Sequence, residues 1–308
     1  MKNTKTLSLL LAVLMLLCLL PACGEMSSPS SIVDMEGRSI ELDKPAERVI
    51  ALSAADCDII YALGAMELLV GRGEYCDYPP EVLDIPAVQS GAQTNIEQII
   101  ALEPDVLFMS SMAQSEEQVA ALENAGITTV VSDADNIEEV YTSIKLIGAV
   151  LGRDAEAEAL VSSMKGQLDE LRLLSAGDGT ETVYFEVSPL EWGLWTAGSD
   201  TFMNEVAELL GLKNIFANLE GWAEVSQEQV IERNPDYIVT ITMYFDGGEL
   251  PEEEILSRAG WENITAVKNR AVLRMQNNEL SRPSQRLVEG ARMLYDFVYE
   301  TAQTDKAA

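Results

Sequence analysis

The stretch Asn95-Ile96-Glu97-Gln98-Ile99-Ile100, followed by Glu103-Pro104-Asp105-Val106-Leu107, returns as Ser226-Gln227-Glu228-Gln229-Val230-Ile231, followed by Asn234-Pro235-Asp236-Tyr237-Ile238, at a constant offset of 131 residues. In each copy an Asn or Ser stands two residues ahead of a Glu that opens a short helical run. The side-chain oxygen at that place can cap free backbone amides, and the acid favours the positive end of the helix dipole. The Pro-Asp pair then ends the helix and launches a buried strand. The echo predicts either two related lobes or a common helix–strand module used twice.

The flanking sequence fits that division. From Arg48, short β-rich runs alternate with amphipathic ones: RVIALS, a helix from Asp56 to Leu63 closed by Gly64, LLVG, a Tyr-Pro-Pro loop, a helix from Ile96 to Leu102, PDVLFMS, a helix from Glu116 to Ala125, and ITTVVS. Strands alternating with helices imply parallel βαβ units. Asn136 to Leu174 reads as helix almost throughout, interrupted only by Gly148, Gly152 and Gly166. A second alternation follows, with ETVYFEVS, a helix from Thr201 to Leu210, NIF, a helix from Glu228 to Glu232, DYIVTIT, AVLRM and a last helix from Pro283 to Tyr299. The expected fold is α/β, with two lobes (32–150 and 176–302) on either side of one long helix (151–175), and a tail at 303–308. A chain of 308 residues is long enough for each lobe to bury its own core.

Composition excludes several functions. There are 51 acidic and 20 basic residues, no histidine, and a formal charge of −31. So acidic a surface has no electrostatic reason to follow phosphates, which argues against nucleic acid and against charge-driven attachment to anionic lipid. Without histidine there is no Ser-His-Asp or Cys-His pair and no HExxH zinc site.

The first residues carry a targeting signal. Lys2 and Lys5 precede an apolar run from Leu9 to Leu20, followed by Pro21, Ala22 and Cys23. The run is too short for a bilayer span, which takes about 20 residues, but suits an export signal. Leu20-Pro21-Ala22-Cys23 resembles a bacterial lipobox, which implies removal of 1–22, lipidation of Cys23, a small polar tether at 23–31, and a place on the outer face of the cytoplasmic membrane. Loss of 1–22 removes two lysines and no acids, leaving 18 basic and 51 acidic residues, a formal −33. Cys57 and Cys76 then remain as thiols; an exported location permits a disulfide, and their spacing leaves the pairing open.

Taken in order, RVIALS, Tyr61-Ala62-Leu63-Gly64, Asp77-Tyr78-Pro79-Pro80, the two Glu-containing repeats, Trp195-Thr196-Ala197-Gly198 running into Thr201-Phe202, Gly221-Trp222 and Ser281-Arg282-Pro283 resemble one family from about Ile32 to Tyr299. It is the family of solute-binding lipoproteins of bacterial ABC importers for ferric siderophores, cobalamin or haem. The resemblance implies two Rossmann-like lobes joined by one long helix with a ligand cleft between them, no catalysis, and no resident cofactor or metal. The partners it implies are a metal chelate as cargo and a permease dimer with its ATPase; consistently, the chain has no G-x-x-x-x-G-K-[ST] motif.

Binding a bulky chelate needs flat apolar surface and a few polar groups at its rim. The candidates are Tyr75 and Tyr78 in the first lobe and Trp192, Trp195, Trp222 and Tyr244 in the second, with Arg282 and Arg286 offered to an anionic chelate and Arg72 a weaker candidate. Relative to the cobalamin-binding branch, Gly91 stands where a Trp is found and Asn278 where an acid is found; with no histidine for haem, a ferric chelate is narrowly favoured over a corrinoid. Glu97 and Glu228 match the family's paired docking acids, one per lobe, which meet arginine pockets on the permease. Two alternatives remain, an extracytoplasmic enzyme with paired carboxylates and a ligand-sensing partner of a surface receptor.

Overall fold

The computed structural model describes residues 32–110, 115–175, 179–242, 248–275 and 279–300. Residues 1–31 (with Cys23), Tyr244, Asn278 and 303–308 lie outside the described residues. A short antiparallel pair, β1 (Ile32–Val33) and β2 (Ser39–Ile40), precedes the first lobe.

That lobe runs β3 (Val49–Ala51), α1 (Ala54–Ala62), β4 (Leu69–Gly73), β5 (Ala87–Val88), α2 (Ile96–Ala101), β6 (Val106–Met109), α3 (Glu116–Asn124), β7 (Thr128–Val131) and α4 (Ile137–Leu151). In space its strands lie β5-β4-β3-β6-β7, all parallel. Every residue of β3 and β6 is buried, as strands covered on both faces require. Local chemistry sets the helix starts: Ser53 accepts from the Ala55 amide, Asn95 from Gln98, and Ser115 forms a reciprocal box with Gln118.

The near-continuous helix read from Asn136 to Leu174 is two helices. Gly152, at φ 65°, takes the left-handed conformation that ends α4, and α5 (Asp154–Leu174) starts two residues later. Along α5 the buried positions are Ala157, Val161, Met164, Leu168 and Leu171, one stripe at alternating spacings of four and three. Gly148 on α4 has no side chain because Ala157 leaves no room: a Cβ there would lie 2.6 Å from the Ala157 Cβ.

The second lobe runs β8 (Thr182–Glu186), β9 (Leu194–Ala197), α6 (Phe202–Leu209), β10 (Lys213–Asn214), β11 (Trp222–Val225), α7 (Gln227–Arg233), β12 (Tyr237–Thr240), α8 (Pro251–Ser257), α9 (Thr265–Lys268), β13 (Val272–Arg274) and α10 (Leu287–Tyr295), which widens into a π turn at Asp296–Glu300. Its parallel sheet has the order β10-β8-β12-β13, and β9 pairs antiparallel with β11 beside it. Two elements differ from expectation. The strand near NIF is Lys213–Asn214, and the Asn214 side chain accepts from the Phe216 amide and turns the chain inward. The last helix starts at Leu287, four residues after Pro283, because Ser284 and Gln285 are drawn to Asp58 of the first lobe.

The acidic helix α1 also departs from a solvated face, since Asp56 and Asp58 are both buried. Ser132 Oγ donates to Asp56 Oδ1 at 2.7 Å, while Oδ2 has no hydrogen-bond partner among the described residues. Burial pushes Asp56 up to about 8; Ser132 opposes this, and the charges of Asp133 and Asp58 add to it.

Two stability outcomes follow from these contacts. Gly148→Ala should lower the unfolding free energy by about 1–3 kcal/mol through overpacking against Ala157. Gly166→Ala, with open space around the new Cβ, should raise it by about 0.5–1 kcal/mol; urea unfolding distinguishes the two. For Asp56, the folded state holds a proton that the unfolded chain gives up near pH 4, so its stabilisation is present at low pH and lost as pH rises through about 8. Asp56→Asn should therefore gain on the wild type between pH 5 and pH 9, by on the order of 2–4 kcal/mol in parallel urea titrations.

Candidate functional site

Open parallel sheets bind ligands beyond the carboxyl ends of their strands, where the strand order reverses. The reversal lies between β3 and β6 in the first sheet and between β8 and β12 in the second. Loops leaving the carboxyl edge of the first sheet touch the second lobe at two places.

At one of them two helix starts cap each other. The Phe202 amide at the start of α6 donates to Asp135 O at 2.7 Å, and the Ile137 amide at the start of α4 donates to Glu205 Oε2 at 2.6 Å. Burial raises the Glu205 pKa, and the bond from Ile137 opposes it. Trp222 closes the same contact, its Nε1 donating to Asp135 Oδ1 at 3.4 Å and its ring lying 5.5 Å from Phe202.

At the other, Arg282 reaches from the second lobe to the Tyr-Pro-Pro loop. Its guanidinium is buried, with Nη2 donating to Tyr75 O at 3.0 Å and to Asp77 Oδ1 at 2.8 Å, and Nη1 lying 3.5 Å from Asp58 Oδ1. Burial pushes Asp58 up to about 6, against the pull of Arg282 and Arg286. Arg286 is also buried; it donates to Glu279 at 2.9 Å and Glu289 at 3.2 Å and stacks 4.1 Å from the Tyr78 ring centre. Tyr78 in turn meets Tyr61 edge to face at 5.7 Å. The structure thus gathers Tyr75, Tyr78, Arg282 and Arg286 into one cluster, in which both arginines are already paired. Arg72 lies apart from it, buried and donating to the carbonyls of Val82, Gly73 and Glu74.

The other aromatics are on the second lobe. Trp192 is 66% exposed and lines a cavity of about 500 Å³ at the strand reversal, where Glu186 ends β8 and Thr242 follows β12. Trp195 pairs with Glu224, and Trp222 with Ala197, so both tryptophans stand on one face of the β9–β11 ribbon. Behind the cavity, Arg258 is held by Glu186 at 2.8 and 3.0 Å and by Glu254, and covers the Trp261 ring at 4.2 Å. Burial raises the Glu186 pKa, and Arg258 opposes it. On the first lobe a cavity of about 650 Å³ opens beside Ser110, Asp133 and Asp135, with Pro283 of the second lobe on its wall.

Glu97 and Glu228 occupy equivalent first turns of α2 and α7, and both are exposed. The Glu228 pKa is lowered by its own backbone amide and by Ser226. Cys57 and Cys76 are free, buried thiols that share Ala51 O as acceptor, at 3.8 and 3.7 Å; the neighbouring Cys76 thiol and burial together push Cys57 up. Among the described residues no group of three or more Cys, Asp or Glu could hold a metal.

Sequence reasoning missed Asp58, Asp77, Asp135, Glu186, Glu205 and Thr242. Asp77 carried a signal, standing just before Tyr78-Pro79-Pro80; the two arginine partners Asp58 and Asp77 lie more than 200 residues from Arg282, beyond any local pattern.

The sequence and fold resemble those of known proteins. Residues 49–279 match the model of the periplasmic binding protein family. The chain is 34% identical to YvrC, an uncharacterised ABC transporter substrate-binding lipoprotein of Bacillus subtilis (strain 168), over 88% of this chain and 86% of that one. It is 27% identical to a vitamin B12-binding protein of Vibrio cholerae, over 82% and 90%. Among solved structures, a possible iron-binding (periplasmic solute-binding) protein of Staphylococcus epidermidis superposes with a TM-score of 0.70 at 31% identity, over 83% of this chain and 100% of that one. The two-lobed α/β chain belongs to the periplasmic binding protein family, whose members are the non-enzymatic substrate-binding components of ABC importers and work with a permease and an ATPase.

Proposed function

We propose that this protein is a lipid-anchored capture protein that binds a metal chelate, ferric or corrinoid, between its lobes and delivers it to a permease dimer driven by a cytoplasmic ATPase. The observation that carries this reading is the exposure of large aromatics beyond the carboxyl edges of both sheets, Tyr75 at 64% on one lobe and Trp192 at 66% on the other. Exposed rings beyond the carboxyl ends of strands suit the flat faces of a macrocycle or of chelating groups. Trp195 and Trp222 extend the second wall, and Tyr78, Arg282 and Arg286 support the first from beneath. The names of a vitamin B12-binding relative and a possible iron-binding relative agree with a chelate as cargo. Lipid on Cys23 would hold the protein at the membrane's outer face.

Glu97 and Glu228 are the proposed docking acids. Each is exposed at the start of a capped helix, one per lobe, so a permease of two like subunits can be gripped at two points while the cleft lies over its pore.

Mass spectrometry and an absorbance spectrum of material co-purified from the native host test the cargo, since corrinoids and ferric chelates absorb differently; a preparation that neither carries nor binds any chelate overturns the reading. The double variant Glu97→Ala/Glu228→Ala should retain ligand affinity within about twofold and lose uptake at least about tenfold, as fully desolvated charge pairs do when truncated. Uptake at the wild-type rate removes the docking role. Three connections between the lobes leave little room for closure, so the radius of gyration should change by less than about 1 Å on ligand binding, the scale of pre-organised complexes.

A further inference from the structure

The charges around the cleft point to its selectivity, given the capture reading above. The arginines offered to an anion are outnumbered: Arg282 is set between Asp58 and Asp77, and Arg286 between Glu279 and Glu289. Arg258 is held by Glu186 and Glu254, and Arg274 lies 3.0 Å from Glu252. Arg72 donates to three backbone carbonyls and is buried.

Acids, by contrast, line both cavities. Glu191 and Glu249 are exposed at the cavity that holds Trp192, where the buried Thr242 hydroxyl has no hydrogen-bond partner among the described residues. Glu36, Asp133, Asp135 and Glu139 line the first-lobe cavity. An anion entering either cavity meets like charge on its lining. A cationic arm would instead meet the Trp192 face with carboxylates beside it, and a rim of amide N–H donors would meet acceptors.

We infer that the cleft selects a chelate without net negative charge, either one carrying a cationic arm or a neutral one rimmed by amide donors, and rejects anionic chelates, with Glu191 and Glu249 as the residues that set this preference. The shared recognition chemistry is donation to carboxylates, and the two sources are separated by the probes below.

The test is equilibrium binding to the full chain in detergent, read by tryptophan fluorescence. The probes are a monocationic ferric tris-hydroxamate, a neutral cyanocorrinoid and a trianionic ferric tris-catecholate. The cationic or the neutral probe should bind at least about tenfold more tightly than the trianion at low salt, and the gap should shrink as salt is raised. Which of the two binds better identifies the source of the donors. Glu191→Gln/Glu249→Gln should narrow the gap to the trianion by about threefold or more. Preferred binding of the trianion, or a ratio that the double variant leaves unchanged, overturns the charge inference while leaving chelate capture standing. Binding of none of the three probes overturns both.

Discussion

Buried charge at the joint between the lobes constrains much of the molecule. The Arg282 guanidinium cannot sit out of water unpaired, and removing one partner of such a pair costs about 3–5 kcal/mol. Its partners are supplied by α1 and by the Tyr-Pro-Pro loop, so the geometry of the ion pairs fixes where that loop stands. The same demand delays the last helix, because Ser284 and Gln285 face Asp58 before the chain can coil. Tyr75 is exposed where it is because its own carbonyl is held by Arg282. Stability of the joint and presentation of the aromatic surface are therefore one problem.

The fold was largely legible in the sequence because its signals are local. Capping residues at Asn95, Ser115 and Ser226, apolar strands after Pro-Asp, and the spacing of the repeats each act within a few residues, and the structure forms helices and strands there. The stop at Gly64 follows from backbone conformation alone, whereas Gly152, one of three glycines in the Asn136–Leu174 run, does not stand out as the one that ends a helix. The site was less legible. Arg282 and Arg286 stand out in a chain with few cations, but composition does not reveal that each faces two acids from elsewhere. Asp56 and Asp58 look like a solvated helix face; only the packing of α1 against the strand ends and α10's leading loop buries them. The cavity acids Glu186 and Glu254 belong to different elements whose meeting depends on sheet order.

Charge and shape serve different purposes across the chain. The surface excess of acid keeps it soluble and steers it toward basic partners at a distance. Inside the lobes, the acids are bound to particular arginines and hydroxyls and act over a few ångströms. Glu97 and Glu228 belong to the first class, with helix-start positions that keep their carboxylates in water. Glu186 and Asp58 belong to the second, where burial raises the cost of ionisation and a neighbouring arginine offsets it.

The exchanged caps at Asp135 and Glu205 bear on how such proteins diversify. Each lobe finishes a helix of the other, with Phe202 bonded to the first lobe and Ile137 to the second. A lobe with another residue at 205 would leave the Ile137 amide without its carboxylate, whereas the bond from Phe202 needs only a main-chain carbonyl at 135. Substitutions in the loops around this seam leave both bonds in place, whereas exchange of a whole lobe has to keep residue 205 matched to the start of α4. In this sense the molecule is modular in plan but joined residue by residue.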